Sequence, residues 1–291
     1  MNLFCFGLGY STQTLIRLHG EHFRSVSGTV RTLDKANGLR AQGINAMVYA
    51  GGAPGPLVTA ALENADALLV SAAPDEAGDP MLRQLKSALN EAIALKTILY
   101  LSTVGVYGDH GGAWIDETAE LRPTSERGKR RVEAEAAWQA FAKARGIALQ
   151  IHRLAGIYGP GRNTLEDLRQ GNARRIIKPG QVFNRIHVED IAGAALAGLR
   201  HPGISGAFNI CDDEPCPPQD VVAYGADLLG LPVPPETAFA EARLSEMARS
   251  FYSESKRCTN HKLCRTLHYR LRYPTYREGL RSLAERLDES A

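Results

Sequence analysis

Two glycines near the start of the chain could do chemistry. Gly7-Leu8-Gly9-Tyr10-Ser11-Thr12 follows an apolar run at residues 3–6 and precedes a helical pattern at Thr14, Leu15, Ile16 and Leu18. In that context Gly7 permits a tight turn, and Gly9 lets the backbone approach a pyrophosphate. The helix that follows turns free N–H groups and a positive dipole end toward the phosphates. Thr12 occupies the usual third glycine position and adds a hydroxyl beside the same phosphates. The turn predicts a dinucleotide site lined by Gly7, Gly9, Tyr10, Ser11 and Thr12. The next β-like run ends Ser27-Gly28-Thr29-Val30-Arg31-Thr32, with no acid at its tip. An acid there would take ribose hydroxyls, whereas Arg31 offers a planar cationic fork suited to a 2′-phosphate. The first acid, Asp34, comes three residues later. NADP is therefore the expected cofactor, with NAD as the alternative.

A second constellation is basic. Arg127, Lys129, Arg130 and Arg131 spread over more than one face of a helix, so only some of them can serve a cleft. Together with Arg153, Arg162, Arg174, Arg175 and Arg185, where these face inward, they would bind an anionic small molecule. Cys258-x-x-His261-x-x-Cys264 carries metal-type side chains but lacks a local fourth ligand. Cys211 to Cys216 reads as a turn. No metal is expected.

The elements that must hold these residues alternate. Strand-like runs fall at 3–6, 23–30, 46–50, 67–72, 97–101 and 148–154. Helical stretches fall at 36–42, 57–63, 80–95 and 125–145. This alternation predicts an α/β chain built of βαβ units, a Rossmann-type doubly wound parallel sheet. Beyond about residue 160 the segments shorten and prolines recur. Helical patterns at 188–199, 218–229 and 276–287 and an apolar piece at 207–211 suggest a smaller C-terminal lobe. The division expected is residues 1–160 for the dinucleotide-binding domain and 161–291 for a substrate lobe interleaved with it.

The 291 residues are 44% hydrophobic and 23% charged, enough apolar material for a large core. The balance of 34 Lys+Arg against 32 Asp+Glu gives +2, which argues against a nucleic-acid partner. No apolar run of membrane-spanning length occurs, and residues 1–7 lack the marks of a signal peptide. Five scattered cysteines suit a reduced, cytoplasmic protein.

Several segments resemble the extended short-chain dehydrogenases/reductases, the NAD-dependent epimerase/dehydratase-like superfamily. Ser102-Thr103-Val104-Gly105-Val106-Tyr107-Gly108 resembles the end of that family's fifth strand. Glu117 with Pro123-Thr124-Ser125 resembles the approach to its catalytic helix. Arg153-Leu154-Ala155-Gly156-Ile157-Tyr158-Gly159-Pro160-Gly161-Arg162 resembles the segment after its sixth strand. Arg185-Ile186-His187-Val188-Glu189-Asp190, Phe208-Asn209-Ile210, Ser255-Lys256-Arg257 and Tyr273 to Leu280 follow in the family's order. The resemblance implies the same fold and a cofactor site that also takes in Ser71, Ala72, Ala73, Ser102, Ala155 and Gly156. It leaves a homodimer open, through helices including 125–145. The family's Tyr-x-x-x-Lys pair is replaced here by Arg127 and Arg131, so the chain resembles an atypical member. The resemblance then implies that Thr103 holds a substrate oxygen, that Arg131 supplies charge and contacts the nicotinamide ribose, and that a proton comes from elsewhere, with Tyr107 the first candidate and Tyr158 and His187 behind it. A catalytically silent NADP sensor is the alternative to an oxidoreductase or epimerase acting on a polar or anionic, nucleotide-sugar-like substrate.

Overall fold

The computed structural model describes residues 1–288. Its centre is a seven-stranded sheet in which every pairing is parallel. The first five strands are β1 (Asn2–Phe6), β2 (Ser25–Val30), β3 (Asn45–Val48), β4 (Ala67–Val70) and β5 (Thr97–Thr103). The Ala148–Leu154 strand lies beside β5, and the Gly206–Ile210 strand closes that edge. β2 and β3 lie on one side of β1 and β4 on the other, so the winding reverses between β1 and β4. Doubly wound sheets open their ligand crevice at such a reversal, beyond the carboxyl ends of the strands.

The central strands β1 and β4 read as nearly continuous apolar runs because both faces are covered. All four residues of β4 are buried. One face packs Phe4, Leu68, Ile98 and Tyr100 against Trp138 and Phe141 of the Glu126–Arg145 helix. The other packs Leu3, Cys5, Leu99 and Phe208 against helix α1 (Tyr10–His19) and the Val188–Arg200 helix. Gly28 of β2 is forced by packing, because a Cβ there would meet the Cys5 carbonyl oxygen at 2.6 Å.

The sequence pattern at 80–95 resolves into two short helices, Pro80–Gln84 and Lys86–Glu91, broken at Leu85, whose ψ of 13° leaves the helical range. Beyond residue 160 the chain supplies the Gly206–Ile210 edge strand and the Val188–Arg200 helix that packs on α1. The Thr164–Arg169, Pro218–Leu228 and Tyr276–Asp288 helices gather round Leu165, Val221 and Leu280. Asp190 ties residues 269–273 to the Val188–Arg200 helix by accepting from the Tyr269 hydroxyl (2.8 Å) and the backbone N–H groups of Arg272 (2.6 Å) and Tyr273 (3.0 Å). All five cysteines are free. No described helix is long and apolar enough to cross a membrane.

Candidate active site

A cavity of about 660 Å³ opens at the carboxyl ends of β1, β4 and β5. At one end stands the glycine turn. Gly7 adopts φ +104°, and a Cβ there would strike the Ser71 hydroxyl at 2.6 Å, so only glycine fits. Ser71 Oγ donates to the Gly7 carbonyl (2.6 Å) and ties the turn to the end of β4. Gly9 caps α1 with no side-chain acceptor on the helix amides, and the first turn holds no acid. A Cβ at Gly9 would meet nothing within 4 Å, so the backbone faces open space on the cavity side. Thr12 is buried with its hydroxyl unpartnered. An uncapped helix start, an open cradle and an orphaned hydroxyl together fit a phosphate group.

Thr103 and Arg131 stand next along the cavity. Thr103 ends β5, and its Oγ1 accepts from the Gly105 N–H (3.1 Å), which fixes the hydroxyl at the strand tip. Arg131 lies one turn into the Glu126–Arg145 helix, whose start is capped by Ser125 Oγ accepting from the Gly128 N–H (3.1 Å). Arg131 Nη1 donates to the Tyr100 hydroxyl (2.9 Å) and the Leu101 carbonyl (2.8 Å), both neutral groups, and makes no ion pair among the described residues. Arg127 also lines the cavity and is exposed. Ser102 has its hydroxyl turned away, donating to Glu135 Oε1 at 2.5 Å.

The far wall comes from distant sequence. Strand Arg185–His187 pairs with strand Gly156–Tyr158 and brings Asn184 and Arg185 to the cavity. Asn184 accepts from the Cys258 N–H (2.7 Å) and donates to the Lys256 carbonyl (2.9 Å), which pulls residues 254–258 across the opening. There Lys256, 5% exposed, donates to the Gly108 carbonyl (2.7 Å) and to Glu254 Oε2 (2.7 Å). Glu254 Oε1 accepts from the Thr124 hydroxyl (2.6 Å), just before the helix that carries Arg127. The sequence reading did not single out Glu254, Asn184, Phe183 or Phe251. Lys256 appeared there only within a motif, although its place beside an acid two residues away was a usable signal.

Gly9, Tyr10, Ser11, Thr12, Ser71, Ser102, Thr103, Arg131, Ala155 and Gly156 all line this cavity. Arg31 is exposed directly after β2, outside the lining, and Thr32 beside it caps the Leu33–Ala41 helix. Ala72 and Ala73 follow Ser71 but are not part of the wall. Tyr107 is a correction: its ring is fully buried and its hydroxyl is spent in the core. It donates to Asn209 Oδ1 (2.7 Å) and accepts from Arg153 Nη1 (2.9 Å), and burial pushes the phenol far up. Arg153 is likewise committed to Glu135 at 2.8 Å, both buried. Arg174 donates to the Arg243 carbonyl and Arg175 pairs with Glu236, whereas Arg162 and Arg185 do face the cavity. His187 caps the Val188–Arg200 helix by accepting from the Glu189 N–H (3.2 Å); burial lowers its imidazole to about 4, and it is no part of the wall. Tyr158 reaches the wall, but its hydroxyl is buried without a partner, and burial raises its phenol. Cys258 is buried, with its carbonyl accepting from Cys211 Sγ.

Sheet order, reversal and glycine cradle define a Rossmann-type dinucleotide-binding protein. The model of the NAD dependent epimerase/dehydratase family matches residues 81–211. A solved structure from Silicibacter pomeroyi, described as a functionally unknown conserved protein, is 46% identical, with TM-score 0.89 over 98% of this chain and 99% of that one. Protein YeeZ of Escherichia coli K12 is 30% identical over 193 residues, 60% of this chain and 63% of YeeZ. The chain thus spans less than two thirds of the length of that curated relative. Human epimerase family protein SDR39U1, solved with NADPH, shares the fold at 18% identity and TM-score 0.73, covering 98% of this chain and 99% of that one. The chain therefore resembles the NAD-dependent epimerase/dehydratase family over residues 81–211 and shares its fold.

Proposed function

We infer that the protein is an NADP-dependent oxidoreductase acting on a small polar, anionic substrate. The observation that carries this reading is a single cavity holding the open Gly9 cradle at one end and Thr103, Arg131 and Lys256 at the other. Gly7, Gly9 and the start of α1 would hold the pyrophosphate, Arg31 the 2′-phosphate and Arg131 the nicotinamide ribose. The bound cofactor supplies a hydride. Thr103 donates a hydrogen bond to the substrate oxygen, and the Arg131 guanidinium stabilises negative charge growing there without moving a proton. Arg127 cannot release a proton near neutral pH. With Tyr107 locked in the core, the cavity-lining ammonium of Lys256 is the group that can give one.

A second reading, an NADP-binding sensor without turnover, is favoured by the guanidinium at position 127, where the sequence resemblance leads one to expect a tyrosine. The deciding experiment follows NADPH absorbance while carbonyl acids and nucleotide sugars are offered. Turnover that falls on Thr103→Ala supports the oxidoreductase. Tight NADPH binding with no turnover across both classes supports the sensor.

A further inference from the structure

Five cationic side chains line the cavity, Arg127, Arg131, Arg162, Arg185 and Lys256, against one carboxylate, Glu254. Glu254 is already taken by Lys256 and Thr124. None of the four guanidiniums pairs with a carboxylate among the described residues: Arg131 and Arg185 donate to neutral oxygens and to the Cys216 sulfur, and Arg127 and Arg162 have no ion pair. Elsewhere arginines such as Arg83, Arg153 and Arg286 do find acids. Four guanidiniums without an ion pair thus meet on one cavity wall.

The cations fall into two groups. Arg162 lies beside Tyr10, whose hydroxyl donates to Pro160 at 2.9 Å, and so belongs to the phosphate end with α1. Arg131 is tied to β5. Arg127 and Arg185 share the cavity wall with the apolar Val182, Phe183 and Phe251, and the Arg185 guanidinium lies over the Phe183 ring. Phe251 is 56% exposed although it borders the cavity, and Met247, one turn earlier, is 60% exposed. An aromatic ring held in water at a cavity mouth gains when a planar ligand covers it.

We propose that this end of the cavity is a binding site for a small planar carboxylic acid, its carboxylate between Arg127 and Arg185 and its unsaturated or aromatic body against Phe251. The proposal deepens the oxidoreductase reading by naming its substrate class. Guanidiniums bind carboxylates through paired N–H donors; the Arg127 side chain makes no hydrogen bond among the described residues and Arg185 spends only Nη1, which leaves its Nε and Nη2 donors for a ligand. The cavity of about 660 Å³ is in the range that holds small-molecule ligands, in keeping with a small acid.

The test is calorimetric titration of trans-cinnamate, trans-cinnamamide and cyclohexanecarboxylate into the NADPH-loaded protein and into the protein alone. Cinnamate should bind at least tenfold tighter than the amide and several-fold tighter than the saturated acid. Arg127→Met should weaken cinnamate at least tenfold and Phe251→Ala several-fold, with NADPH affinity unchanged in both. Arg127 makes no structural bond, so its variant should fold. Equal binding of acid and amide, no binding of any probe to either form, or an unchanged Arg127→Met would overturn the proposal. Failure of NADPH to bind would overturn the cofactor reading instead, and the titration of the unloaded protein would still decide the acid site.

Discussion

The two ends of the cavity are built differently. The cofactor end is made of backbone: two glycines, an uncapped helix start and a serine that pins the turn. The opposite end is made of long side chains from three separate stretches: Arg127 and Arg131 on one helix, Arg185 and Lys256. The first end requires particular φ angles and the absence of side chains, so few residue types can satisfy it. The second requires only that the fold bring charges together, and many sequences could do so. A scaffold of this kind can keep its cofactor while its chemistry drifts. Arg127, which stands where the sequence resemblance leads one to expect a tyrosine, lies on the cavity wall and leaves the cradle alone.

Substitutions can break this contrast in turn. The largest expected effect lies beneath both ends. Glu135→Ala would strand the buried Arg153 guanidinium without its partner, and the loss of stability should be about 3–5 kcal/mol. Thermal or urea unfolding measures it; a loss under 1 kcal/mol would mean that water or another acid compensates. At the substrate end, Thr103→Ala should lower kcat by roughly 100-fold if the hydroxyl contacts the developing oxyanion. Arg127→Ala should cost less in kcat and act mainly on KM, which steady-state kinetics with a carbonyl acid would separate. The smallest effect belongs to Arg31, an exposed side chain. Arg31→Ala should weaken NADPH several-fold and leave NADH alone, as expected for an exposed charge contact. An unchanged NADPH to NADH ratio would place the discrimination elsewhere.

The same contrast explains how much could be read from the sequence. The parallel sheet was legible because β4 and the middle of β5, buried on both faces, are runs of apolar and aromatic residues. The glycine turn was legible because its chemistry is local: strand, two glycines and helix are contiguous. The break at Leu85 was not, since the apolar periodicity runs through it. Tyr107 misled because position in a motif says nothing of where a ring points; packing against Arg153 and Asn209 decided that. Glu254 and Asn184 were invisible as site residues because their relevance depends on contacts such as Asn184 with Lys256 and Cys258, more than seventy residues apart in sequence.

The central claim is that the Gly9 cradle holds the cofactor's phosphates. Calorimetric titration of NADPH into the native protein and into Gly9→Val tests it most directly. Gly9 has φ −87° and ψ −171°, an extended conformation that valine adopts, and its Cβ would touch no protein atom within 4 Å, so the variant should fold and melt like the native protein. Its branched side chain would fill the space meant for the pyrophosphate, and NADPH affinity should drop at least about 100-fold, roughly 2.8 kcal/mol. A folded Gly9→Val variant that binds NADPH as tightly as the native protein would contradict the account.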